Sequence, residues 1–211
     1  MTSRKFMLFI VFLFLIQFQI HAHPHMSITT RCSFTFEDME LTGVWVDYRF
    51  DKYFSIDILQ SFDLDQNKIF DSEETLEVYN NAFINLENYG FFISIRDGDK
   101  RSSPQKVSDF SLSYEDNHIS YRFFMKLEDS DERQVVLSVF DPTYFCSCTY
   151  EETDTVRVIS DEDFQFDYSV KENKDYPVYY DPYAAVGDDT THDFWFPGLE
   201  TAYPEEIHFV Y

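Results

Sequence analysis

From Met26 to Phe36 apolar and polar positions alternate, so that Ile28, Thr30, Cys32, Phe34 and Phe36 share one face of an extended segment. Leu41 to Phe50 repeats the pattern, with Val44, Val46, Tyr48 and Phe50 on one side. Period two marks strands with one buried face, and a turn around Glu37–Glu40 joins them as a hairpin. The period then changes. Phe54, Ile58 and Phe62 recur every four residues, and beyond a polar stretch Leu76, Tyr79, Phe83 and Leu86 form a second stripe at helical spacing. This predicts a helix–loop–helix insertion over residues 51–89.

Alternation resumes at 91–96 and a turn signal follows at Asp97–Asp99. Further strands are predicted at 107–114, 118–127, 134–140, 155–159, 164–170 and 206–211. Residues 171–204 carry Pro177, Pro182, Pro197 and Pro204 and read as an irregular segment wrapping the domain. The predicted class is α+β: a mostly antiparallel, sandwich-like β domain with an inserted EF-hand-like helix–loop–helix.

Between the two helical stripes lies DLDQNKIFDSEE, residues 63–74. Asp63, Asp65, Asn67, Asp71 and Glu74 stand at the first, third, fifth, ninth and twelfth positions of this loop, and the Ile69 carbonyl at the seventh. That is the ligand spacing of an EF-hand calcium loop. A hard divalent cation takes six to eight oxygens, and this pattern supplies them from one short stretch. Phe70, at the eighth position, is apolar, as expected where the loop packs inward. Lys68 occupies the sixth, where such loops place glycine for its positive φ. Lysine there costs about 1 kcal/mol and brings an ammonium close to the ion, so weak calcium binding is expected. The competing reading is an acidic helix start, Asp71 capping with Glu74 reaching back.

The first residues change the setting. Arg4 and Lys5 precede an unbroken apolar run, Phe6–Ile16, and small Ala22 offers a cleavage site. The run is shorter than the roughly 20 apolar residues that span a bilayer. A signal peptide of residues 1–22, leaving one periplasmic or secreted domain of residues 23–211 with no direct membrane insertion, is the expectation. The whole chain has 16 basic against 39 acidic residues; loss of Arg4 and Lys5 takes the net charge from −23 to −25. So acidic a surface repels nucleic acid and anionic lipid and leaves divalent cations as the natural partners. Aromatic residues make up 19 % of the chain, which argues against a disordered acidic tail.

Cleavage after Ala22 would expose His23-Pro24-His25. The α-amine and two imidazoles form a chelate suited to nickel, cobalt, zinc or copper. A flexible end with incidental histidines is the plain alternative. His118, His192 and His208 are the other candidate imidazoles beyond the expected signal peptide. Cys32, Cys146 and Cys148 pose a further choice. Cys146 and Cys148 face the same way in a strand, so either could pair with Cys32 in an exported protein; alternatively the C-x-C pair holds a soft metal. No G-x-S-x-G, H-E-x-x-H or phosphate-binding glycine loop is present, and the chain is not expected to be an enzyme.

The sequence AHPH, the hairpin end WVDYRFDKYFS, the loop at 63–74, AFINLENYGFF and VFDPTYF at 139–145 together resemble a periplasmic domain-of-unknown-function family described as an uncharacterised transport-system component. The resemblance covers His23 to about Ile159. It implies an accessory protein of transition-metal transport, acting beside an inner-membrane metal permease or ABC-type transporter of the nickel/cobalt or zinc kind. His23 and His25 would take the transported metal, and the Asp-rich loop a calcium ion. Asp141, Pro142, Thr143 and Tyr144 match a further family element. Lys68 and the C-x-C pair depart from the family pattern. The alternative function is a calcium-stabilised secreted interaction domain with no transition-metal role.

Overall fold

The computed structural model describes residues 26–128, 132–163, 165–185, 188 and 190–211. His23 and His25 lie outside them.

The predicted hairpin forms as β1 (Met26–Glu37) and β2 (Glu40–Phe50), paired antiparallel from Ile28↔Phe50 to Glu37↔Glu40. Asp38 and Met39 both take positive φ, which turns the chain within two residues. Helix α1 (Lys52–Phe62) follows at once, then α2 (Ser72–Asn81) and a 3₁₀ segment, Phe83–Phe92. The remaining strands are β3 (Ile93–Asp97), β4 (Lys100–Ser102), β5 (Ser108–Glu115), β6 (His118–Lys126), β7 (Gln134–Val139), β8 (Cys146–Tyr150), β9 (Val156–Ile159), β10 (Asp167–Glu172), β11 (Val178–Tyr180), β12 (Glu200–Ala202) and β13 (Glu205–Val210).

One sheet runs β5-β6-β2-β1-β8, with β9 also on β1; the other runs β10-β13-β7-β3-β4. All pairings are antiparallel except those of β8 and β9 with β1. The sheets meet through apolar faces. Phe34 of β1 stacks on Phe209 of β13 at 4.0 Å, and Phe36 meets Tyr211 edge-on at 5.0 Å. Ile28, Cys32, Phe34, Val44, Val46 and Tyr48 are fully buried, as the alternation requires. The protein is therefore α+β, a mostly antiparallel sandwich with a helix–loop–helix between β2 and β3.

The stripe proposed for the second helix holds only in part. Leu76 is exposed, and α2 ends at Asn81, so Phe83 and Leu86 belong to the 3₁₀ segment. The buried residues of α2 are Glu74 and Val78. Four apolar positions at helical spacing mixed two elements. Phe83 still packs on Tyr79 as well as on Phe91, Phe110, Tyr121 and Phe123, so of the four only Leu76 leaves the core face.

The insertion is fastened to the sandwich by polar bonds. Asp51 caps α1, accepting from the Tyr53 and Phe54 N–H groups at 2.8 and 3.1 Å, and its second oxygen accepts from Ser27 N–H at 2.7 Å. Buried Ser55 donates to the Asp51 carbonyl at 2.6 Å and accepts from Ile119 N–H at 2.8 Å. The return to the sheet is strained: Gly90, Phe91 and Phe92 all have positive φ. Fully buried Tyr48 holds that turn by donating to the Phe91 carbonyl at 2.7 Å. Within 171–204, β11 and β12 pair and Tyr179 bridges His192, which gives the wrapping segment a two-stranded clasp.

The cysteine register excludes both Cys32 pairings. Cys146 sits opposite Met26 and Cys148 opposite Ile28, whereas Cys32 sits opposite Val156. Four residues of strand separate Ile28 from Cys32, roughly 13 Å at about 3.3 Å per residue. A disulfide spans at most about 7 Å between Cα atoms. All three cysteines are free thiols.

Candidate metal centre

The loop between α1 and α2 is organised by its own acidic side chains. Asp63 closes α1, and its two oxygens accept from the Asn67 and Lys68 N–H groups, each at 3.1 Å. Asp65 accepts from Asn67 N–H at 3.1 Å and from the Asn67 amide at 2.7 Å; Asn67 Oδ1 accepts from Ile69 N–H at 2.6 Å. Each bond curls the backbone inward by one step. Gln66 and Lys68 complete the curl with φ of 60° and 65°. The sequence expectation of a left-handed residue at the sixth position is met, with lysine in place of glycine.

At the far end Asp71 caps α2, its Oδ1 accepting from the Glu73 and Glu74 N–H groups at 2.8 and 2.9 Å. Glu74 reaches back in two directions: one oxygen accepts from Asp71 N–H at 3.1 Å, the other from Leu64 N–H at 2.8 Å. The capping box anticipated as the competing reading is thus present. It does not displace the other reading, because the Leu64 bond ties Glu74 to the opposite end of the loop, ten residues back.

Carboxylate oxygens of Asp63, Asp65 and Glu74 lie within 4.8 Å of one another. Asp63 is 7 % exposed and Glu74 5 %, so two of the three acids are withdrawn from solvent. Like charges so close repel by about 1 kcal/mol per pair in water and by several times that where the surroundings are less polar. Each oxygen keeps a free lone pair after its backbone bond. The arrangement can therefore accept a small hard cation at its centre. Of the other predicted ligands, Asn67 and Asp71 are engaged in shaping the loop and capping α2, and Ile69 is exposed; Phe70, expected to pack inward, does pack against the core.

A second charged cluster went unseen in the sequence. Glu206 of β13 is fully buried, with Arg96 bonded to both its oxygens at 2.9 Å, Asn173 at 2.9 Å, Arg101 at 3.6 Å and His208 at 3.4 Å. Burial pushes its carboxyl up, but the Arg96 and Asn173 bonds and the two guanidinium charges outweigh this and hold it below the usual range. It ties β3, β4 and β10 to β13. No sequence signal marks it, because its partners are 110 and 33 residues away.

An acidic β-sandwich carrying a helical hairpin with a convergent carboxylate loop is the class that fold and site define. Residues 8–211 match the family described as a protein of unknown function (DUF1007), and the chain belongs to that family. No curated protein and no solved structure matches it. No helix among the described residues is long and apolar enough to cross a membrane.

Proposed function

We propose that this chain is an exported domain that binds a divalent cation of the calcium class in an EF-hand-like loop, residues 63–74, and serves as an accessory to transition-metal transport. The convergence of Asp63, Asp65 and Glu74 supports the calcium reading. In it, Asn67 Oδ1 and the Ile69 carbonyl complete the oxygen set, Asp71 acts through water, and Glu74 binds with both oxygens. The ion offsets the repulsion of three acids and braces α1 against α2. Export rests on the basic–apolar–small pattern of residues 1–22. The transport role rests on the family resemblance and on His23 and His25, whose amine-plus-imidazole set suits nickel, cobalt, zinc or copper. An inner-membrane permease or ABC-type transporter is the partner this reading implies.

Calorimetric titration of the processed chain separates the two halves. One weak calcium site lost in Glu74→Ala supports the loop. A tight nickel or zinc site lost in His23→Ala/His25→Ala supports the transport role. Calcium binding with no transition-metal binding leaves the alternative, a calcium-stabilised secreted interaction domain.

A further inference from the structure

Cys146 and Cys148 are the one motif that neither the loop nor the histidine end uses. They stand two residues apart in β8, on the same face, and both line one cavity. Cys146 is buried and Cys148 is half-buried. Asp141 fixes the approach to the strand. Its buried carboxylate accepts from Thr143 N–H at 2.8 Å, Thr143 Oγ1 at 2.7 Å and Cys146 N–H at 2.9 Å, which pins the turn that delivers Cys146. Both thiols line a cavity of about 360 Å³ between β8 and the β12–β13 connection. Tyr144, Asp141, Glu172 and Glu205 line it too; among the described residues no lysine or arginine does.

Two outcomes are open to such a pair. In a pleated strand, alternate Cα atoms stand about 6.6 Å apart. That is the far edge of the range a disulfide spans, about 4.4–6.8 Å, and closing it would pinch the strand. A chelated ion asks for less. Two sulfurs bound at about 2.3 Å to a tetrahedral ion are about 3.8 Å apart, wider than the roughly 2 Å of a disulfide, so alternate side chains on one strand face span it with less pinching. Charge then selects the ion. A divalent cation that displaces both thiol protons to solvent forms two metal–sulfur bonds and leaves the site's net charge unchanged. A monovalent ion would leave a negative charge beside Asp141 with no basic residue among the described lining residues to offset it.

We propose that Cys146 and Cys148 chelate a divalent thiophilic cation of the zinc–cadmium class in this cavity, with water or an incoming ligand filling its open positions. The site is independent of the calcium loop, whose hard oxygens favour a different class of ion.

Cadmium is the probe, added to the reduced full-length chain in excess calcium so that the loop is saturated. One equivalent is expected to raise a sulfur-to-cadmium charge-transfer absorption, release two protons, and protect the half-buried Cys148 from alkylation. Cys148→Ser abolishes the absorption, while Cys32→Ser and Glu74→Gln leave it intact. Because Cys148 is half-exposed, its serine variant is the mild one. Alkylation mapping of the unsubstituted chain gives the same answer with no variant at all. No absorption in the native chain, an absorption that survives Cys148→Ser, or alkylation unaffected by cadmium would each overturn the proposal. Retention of the absorption in Glu74→Gln keeps this outcome separate from failure of the calcium reading.

Discussion

Lys68 separates a cost of folding from a cost of binding. Its φ is 65° with the loop already curled and Asp63 already accepting from its N–H. The left-handed backbone, worth about 1–2 kcal/mol for a residue with a Cβ, is therefore borne when the protein folds. It is not borne again when an ion arrives. What remains to oppose binding is the ammonium, exposed and screened, at about 0.5 kcal/mol or roughly twofold in affinity. Lys68→Gly removes both strain and charge; Lys68→Gln removes the charge alone. Calcium titration by calorimetry is expected to give the two variants the same affinity, each about twofold tighter than the native loop. In calcium-free denaturant unfolding, the glycine variant gains about 0–1.5 kcal/mol, because relief of strain is set against roughly 0.5–1 kcal/mol of added unfolded-state entropy. If the glycine variant binds five or more times tighter than the glutamine variant, about 1 kcal/mol of strain is being charged to binding and the reasoning is wrong.

Other consequences follow from the same bonds. Tyr48→Phe leaves the Phe91 carbonyl without its buried donor in a strained turn and should cost about 1–3 kcal/mol in urea unfolding. Glu206→Gln uncouples a buried carboxylate from two arginines and should cost about 3 kcal/mol at neutral pH. Because the folded carboxyl lies below its unfolded value, near about 4.3, its contribution is present above that pH and is lost as pH falls through the lower folded value. Acid unfolding of Glu206→Gln should therefore begin from lower stability and fall less steeply. Peptide mapping without reduction should recover no Cys32 disulfide, since the register holds both other thiols out of reach.

The β1–β2 hairpin was legible because period two, a short turn and a buried face all agree over local sequence. The loop was legible for a similar reason: its ligands are consecutive, and their spacing is fixed by one ion. The parallel placement of β8 and β9 on β1 was not legible. It joins residues more than a hundred positions apart, and nothing in Cys146 or Cys148 states which residue they face. That register decided against the Cys32 disulfide. Leu76 misled because one helical stripe was drawn across the end of α2 into a 3₁₀ segment that carries Phe83 and Leu86. Glu206 reads as one acid among 39, and only its arginine partners distinguish it. Strands of three residues, such as β4, β11 and β12, are too short to show a period.

Thermal unfolding with and without calcium tests the account at its centre. For a dissociation constant of about 0.1–1 mM, about 10 mM calcium stabilises the fold by about 1.4–2.7 kcal/mol. For a domain of this size that raises Tm by about 3–10 °C. Glu74→Gln should fold and show no such rise. An unchanged Tm in the native chain, or an equal rise in Glu74→Gln, would contradict the claim that Asp63, Asp65 and Glu74 converge on a cation.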